Sequence, residues 1–125
     1  AAEYDNFRKR TAKEKENTYC DAYVSALNYF LPVYDNLERA AAETCSDKAY
    51  KKGIDLILKQ LLDIFEKLSI TEVPGAGEPF NPQYHHAVMH IDDEALGENT
   101  IAEVFQKGFM YKDRVLRYAM VKVAN

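Results

Sequence analysis

Two adjacent apolar lines on one helix are the feature that most limits how this chain can fold. Tyr19, Tyr23, Ala26, Phe30, Val33, Leu37 and Ala40 follow a strict four-three spacing, which is a heptad seam. A second line, Val24, Leu27, Leu31 and Tyr34, runs beside it. Together they make an apolar face too wide for a two-stranded coil, and such a face suits a helical bundle. The spacing repeats at Tyr50, Ile54, Ile57, Leu61, Ile64 and Leu68, flanked by Leu58, Leu62 and Phe65. Between the two repeats lies a short polar stretch, Glu43 to Asp47, in which Ser46 or Asp47 can cap the second helix. So short a link predicts an antiparallel helical hairpin. Each helix still carries more apolar surface than one partner covers. A second copy of the hairpin, giving a dimeric four-helix bundle, is the expected solution. Burial of one large apolar side chain is worth about 1.5–3 kcal/mol, so the exposed seams of a lone hairpin would leave it marginal.

Pro32 interrupts the first helix. It removes the hydrogen bond to the Asn28 carbonyl and its ring crowds that carbonyl, at a cost of about 3 kcal/mol. A kink or break is expected near Leu31-Pro32. Residues 1–18 differ from the rest of this helix, because Tyr4, Phe7 and Ala12 sit among many charges and the heptad register lands on Lys9 and Glu16. They read as an exposed helix loosely paired with its twin. Ala1-Ala2-Glu3-Tyr4-Asp5 already reads as helix interior without a cap, so an N-terminal truncation is expected.

Punctuation changes near Leu68. Up to that point the chain holds one proline and one glycine, while the rest holds the other three prolines and four glycines. This divides the chain into a helical region, residues 1–68, and a β-domain, residues 69–125. Strands are expected at Ile70–Val73, Ala87–Ile91, Thr100–Gln106, Phe109–Tyr111 and Val115–Val123, with Gly108 in a turn or bulge and Tyr111-Lys112-Asp113 at a hairpin tip. Pro74, Gly75, Gly77, Pro79 and Pro82 make a stiff loop. The fold class is therefore α+β: a long helix and a bundle hairpin, then a small antiparallel β-domain.

The net charge of −4 argues against a nucleic-acid binder. Arg8-Lys9-Arg10 is offset by Glu3, Asp5, Glu14 and Glu16 and reads as a solvated face. Cys20 and Cys45 form no metal-type spacing or disulfide framework, which favours a reducing, cytoplasmic setting. No apolar run would span a bilayer and no signal-peptide layout opens the chain. His85, His86 and His90 with Asp92 and Asp93 raise a metal site, but neighbours on a strand point to opposite faces. A buried, hydrogen-bonded His85 and an exposed His86 fit better. Asp92, Asp93, Glu94 and Glu98 lack EF-hand spacing. There is no Ser-His-Asp set, phosphate loop or carboxylate pair for catalysis. The chain reads as a non-enzyme without cofactor or metal.

Five segments, in order, carry a family resemblance: Asn6-Phe7-Arg8-Lys9-Arg10-Thr11; Leu31-Pro32-Val33-Tyr34-Asp35-Asn36-Leu37-Glu38-Arg39-Ala40; Lys52-Gly53-Ile54-Asp55-Leu56-Ile57-Leu58; Phe80 to Met89; and Val104-Phe105-Gln106-Lys107-Gly108-Phe109 with Asp113 to Val123. Together they resemble GrpE, the nucleotide exchange factor of DnaK-type chaperones. The resemblance implies a homodimer with paired long helices and a four-helix bundle, and a β-domain that docks on the chaperone's ATPase domain and promotes ADP release during protein folding and stress. Unfolded protein is a further implied partner; nucleic acid and membrane are not. It implies partner contacts at Arg114, Phe105, Lys107, Gly108, Val123, Phe80, Pro82 and Gly53, and a dimer interface at Tyr23, Phe30, Leu37, Ile54, Ile57, Leu61 and Ile64. Gly53, set among good helix formers, suggests a close approach, to the facing helix or to the chaperone. Arg114 follows a hairpin tip, where a guanidinium reaches solvent and can meet partner carboxylates; a salt bridge within the β-domain is the plainer alternative. His86, Asn81, Tyr118 and Ser69 depart from the residues common in the family. Two rival readings remain: a coiled-coil adaptor without exchange activity, which would not need the β-domain, and a small metal enzyme built on the histidines.

Overall fold

In the computed structural model, which describes residues 1–125, the first helix does not break at Pro32. Helix α1 runs from Ala2 to Ala42, with Pro32 inside it. Leu31 and Tyr34 flank the proline and are both almost fully buried. Two such anchors supply about 3–6 kcal/mol of burial, enough to offset the roughly 3 kcal/mol a mid-helix proline costs. The expected break is corrected accordingly. Asp47 is the cap of helix α2 (Lys48–Lys67), its carboxylate accepting from the N–H groups of Ala49 and Tyr50 at 3.1 Å each. Near the connection Lys51 reaches the Ala41 carbonyl, and farther along Phe65 meets Tyr34, so the helices run antiparallel. No helix is long and apolar enough to cross a membrane.

Helix α2 ends into Ser69, whose φ of 62° is left-handed. Six strands follow: β1 (Ile70–Glu72), β2 (His85–Ile91), β3 (Thr100–Gln106), β4 (Phe109–Tyr111), β5 (Arg114–Arg117) and β6 (Ala119–Ala124). They form two three-stranded sheets, β1-β4-β5 and β2-β6-β3. The first is antiparallel throughout. In the second, β2 pairs parallel to β6, so the expectation of a purely antiparallel domain is corrected to a mixed one. Three intervening strands separate β2 from β6 in sequence, and that long crossover permits a parallel pair where a tight turn would not.

The single strand expected over Val115–Val123 is also two. Arg117 still pairs with Phe109, but the Ala119 N–H donates to the Tyr84 carbonyl at 3.0 Å, so the chain changes sheet at Tyr118. Gly108 makes this crossing possible: a Cβ there would lie 2.8 Å from the Arg117 carbonyl oxygen and 2.9 Å from the Tyr118 carbonyl carbon.

Each sheet has its own core. Leu31, Tyr34, Phe65, Ile70, Phe109 and Leu116 join both helices to the first sheet. Val73, Ile101, Ala119, Val121 and Val123 fill the second. In the first cluster Phe109 stands edge-on to Tyr34 (centroids 5.0 Å apart) and to Phe65 (5.4 Å), a favoured aromatic arrangement.

Phe109→Ala should remove the ring shared by α1, α2 and β4 and destabilise the fold by about 3–5 kcal/mol in urea denaturation. Ser69→Gly should relieve the left-handed strain and stabilise by about 1 kcal/mol in the same measurement.

Candidate interaction surface

The second sheet presents one face to its core and the other to solvent. Along β6, Ala119, Val121 and Val123 are buried, and Met120 between them is exposed, the alternation a half-buried strand requires. Met120 is in register with His86 of β2 and Gln106 of β3. His86 lies flat on Tyr118, with centroids 4.7 Å apart and planes 9° from parallel. Phe105 is 48% exposed and lies under the ammonium of Lys122, which also pairs with Glu103 at 3.0 Å. The outer face thus carries Phe105, Met120, Tyr118 and His86 with a single cation–carboxylate pair. An exposed face of aromatic and apolar groups around one ion pair suits protein recognition.

The other side chains foreseen as partner contacts fall at several places. Lys107 and Gly108 form the β3–β4 turn, just after Phe105 of β3. Lys107 sits between Glu38 (3.7 Å) and Glu72 (3.9 Å). Gly108 is buried against backbone, and its role is in the turn itself. Phe80 packs beneath on the second core and Pro82 is exposed, both in the loop ahead of β2. Val123 is 1% exposed, so its side chain lies in the core and is not at the surface. At Gly53 an added Cβ would meet nothing within 4 Å, so the close approach to the facing helix of the same chain is absent.

Arg114 leans on α1. Its Nη2 donates to the Asp21 carboxylate, while Nη1 is covered and has no hydrogen-bond partner. The Asp21 hydrogen bond outweighs desolvation and raises the Arg114 pKa above its usual value. The guanidinium is thus held by the helix, neither free in solvent nor bridged within the β-domain.

The residues foreseen as a dimer seam also divide. Phe30, Ile57 and Ile64 are exposed, and Leu37 and Ile54 are half-buried. Tyr23 stacks on Tyr111 at 5.8 Å, and Leu61 packs on the chain's own first core.

The loop ahead of β2 is fixed by His85. Its Nε2 faces the Pro74 carbonyl at 2.6 Å. A carbonyl only accepts, so Nε2 carries the proton and Nδ1 accepts from the Asn81 N–H at 3.0 Å. The Asn81 side chain in turn accepts from the Gln83 N–H at 2.9 Å. Across this loop, Ile101 N–H donates to Glu78 O and Phe80 N–H to Asn99 O, each at 2.9 Å, which covers the edge of β3. His85 is therefore a structural residue, and no group of three or more metal-type side chains converges.

Sequence reasoning missed three features. Met120 was legible from strand alternation beside Val121. The ion pair of Asp35 with Arg117 joins residues most of the chain apart and leaves no local signal. Asn125, whose side-chain amide holds Asp93 O and Leu96 O at 2.8 and 2.9 Å, leaves none either.

A family model named GrpE matches residues 1–125. The chain is 56% identical over 124 residues to Protein GrpE of Clostridium beijerinckii, covering 99% of this chain and 59% of that protein. It is 52% identical over 125 residues to Protein GrpE of Clostridium acetobutylicum, covering 100% and 62%. For Protein GrpE of Carboxydothermus hydrogenoformans the identity is 43% over 125 residues, covering 99% and 64%. The chain spans about three-fifths of the length of these curated relatives.

Gly108→Ala should force the β3–β4 turn apart from Tyr118 and destabilise by about 1–3 kcal/mol. The amide spectrum should change from Arg117 to Ala119, where the chain enters β6, and unaltered stability in urea would contradict this account of the sheet crossing.

Proposed function

The chain belongs to the GrpE family, and from that premise we propose that it acts as a nucleotide exchange factor of a DnaK-type chaperone. The observation that carries the proposal is the family match over residues 1–125 combined with an exposed aromatic face on a separately cored sheet. A coiled-coil adaptor has no use for such a face. The protein would bind the chaperone's ATPase domain through the β-domain, as a dimer, in the cytoplasm.

The physics needs no covalent step. A protein that binds the open, nucleotide-poor form of the ATPase domain more tightly shifts the population toward it. ADP affinity must then fall, and by linkage bound ADP must weaken the exchange factor by the same factor. The dimer would form on the helix faces this chain leaves uncovered, at Phe30, Ile57 and Ile64.

Arg114 belongs to this reading as a contact that changes partner. Its guanidinium lies on Asp21 in the free chain, in a pair that is open to water on both sides. A carboxylate on the ATPase domain would find a donor already ordered near the surface.

The central test is the release rate of fluorescent ADP from a DnaK-type chaperone, measured below saturation. This protein should accelerate release many-fold; an unchanged rate with a tight complex would favour the adaptor. Arg114→Ala should reduce the acceleration about tenfold, as expected for loss of one charge-assisted contact. Asp21→Asn should leave it near the parental value. Equal losses in the two variants would make Arg114 a tether to α1 only. Ile57→Asp should yield monomers by sedimentation equilibrium while the first core, which Ile57 does not enter, stays folded.

A further inference from the structure

We infer that Asp35 is a positioning residue: through Arg117 it holds the β3–β4 turn, and with it the exposed face of the second sheet, at a set angle to α1. All three guanidinium nitrogens of Arg117 are engaged. Nε donates to the Lys107 carbonyl at 2.8 Å, Nη1 to Asp35 Oδ2 at 2.6 Å and Nη2 to Asp35 Oδ1 at 2.5 Å. The same group lies over the Phe109 ring, 5.8 Å from its centroid. Gln106 also reaches Asp35 Oδ2, at 3.4 Å. Three positions along, on the same helix face, Glu38 receives Lys107.

Val73, just after β1, and Met110 of β4 pack into the second core and join the two sheets, but no strand of the second sheet is among those that touch the helices most. The strands that touch the helices most are β1 and β5, both of the first sheet. The two cores are separate clusters. Aromatic contacts in the first core hold the layers together but tolerate sliding and tilt. A bidentate arginine–carboxylate pair is planar and directional, so it fixes an angle as well as a distance. The pair is also well shielded, with side chains 16% and 21% exposed, whereas Lys107, Glu38 and Glu72 are each a third or more exposed. Screening by water and salt therefore weakens the Lys107 contacts far more than the Asp35–Arg117 contact. The shallow cleft between α1 and the β3–β4 turn is not itself a ligand site, because Asp35, Glu38, Gln106 and Lys107 that line it are committed to one another.

The functional half of this inference rests on the exchange-factor reading. If the exposed face of the second sheet meets the ATPase domain while the helices form the dimer, the angle between them decides whether both contacts fit. Loss of the joint would then weaken docking without altering any residue on the docking face.

The test uses Asp35→Asn and, separately, Arg117→Lys in the full chain. Residual dipolar couplings of backbone amides report the orientation of the second sheet relative to α1. Titration calorimetry reports affinity for the ATPase domain. Both variants are expected to keep helical circular dichroism and the amide shifts of Val121 and Val123. The couplings of the second sheet should shrink or realign against those of α1, and affinity should fall five- to tenfold. Exchanging the charges, Asp35→Arg with Arg117→Asp, should restore part of both. An unchanged orientation in both single variants overturns the inference. So does melting of the second sheet in both, which would make the pair a general stabiliser. Lost affinity with unchanged orientation also overturns it, since Asp35 would then touch the partner directly. If the parent protein does not bind the ATPase domain, the exchange-factor reading fails, and the dipolar couplings still decide the role of Asp35.

Discussion

Three rings tie the two helices of this chain to its first sheet. Tyr34 comes from α1, Phe65 from α2 and Phe109 from β4, and each lies within 6 Å of the other two. They flank a helix α1 that runs unbroken through Pro32, close the helical hairpin, and seat the first sheet on it. Burial, and then the nearby Glu38 carboxylate, raise the Tyr34 hydroxyl pKa far above its usual value, so Tyr34 behaves here as a neutral core residue. Beyond the three rings, Leu31, Ile70 and Leu116 and the Tyr23–Tyr111 stack extend the apolar contact between helices and strands, and polar pairs complete it.

The polar contacts are strung along one helix. Arg114 meets Asp21 and Arg117 meets Asp35, at the two ends of β5. Fourteen residues of helix separate the two acids, about 21 Å along the axis, so β5 is held along α1 at both ends. The inner pair is shielded and bidentate; the outer one is open to water. This asymmetry matters for a protein proposed to work by docking. The shielded joint suits a fixed orientation, and the exposed one can be exchanged for a partner group at little cost.

Much of the secondary structure was legible. The change from helix to short strands follows the proline and glycine count, and Asp47 was among the expected caps. What failed did so for tertiary reasons. Pro32 reads as a break until the burial of Leu31 and Tyr34 is known. Val115–Val123 reads as one strand because nothing local to Tyr118 signals a change of sheet; the cause is Gly108, ten residues earlier. The parallel pairing of β2 with β6 depends on a crossover of three strands, which periodicity does not report. On the candidate surface, the two family departures His86 and Tyr118 proved to be one stacked pair. Val123, foreseen at a contact, proved to be core.

The sequence by itself determined the helical hairpin, the width of its apolar face, the turn chemistry of the β-domain and the family. These are local or periodic properties, set by spacings of three, four and two residues and by the conformational limits of proline and glycine. Only the tertiary structure decided which apolar line would be covered within the chain. It buried Leu31, Tyr34 and Phe65 and left Phe30, Ile57 and Ile64 exposed. The same holds for Asp35 and Arg117. One helix acid among several and one strand arginine of two carry no mark of their pairing, because the pairing arises only when the packed rings bring α1 and β5 side by side.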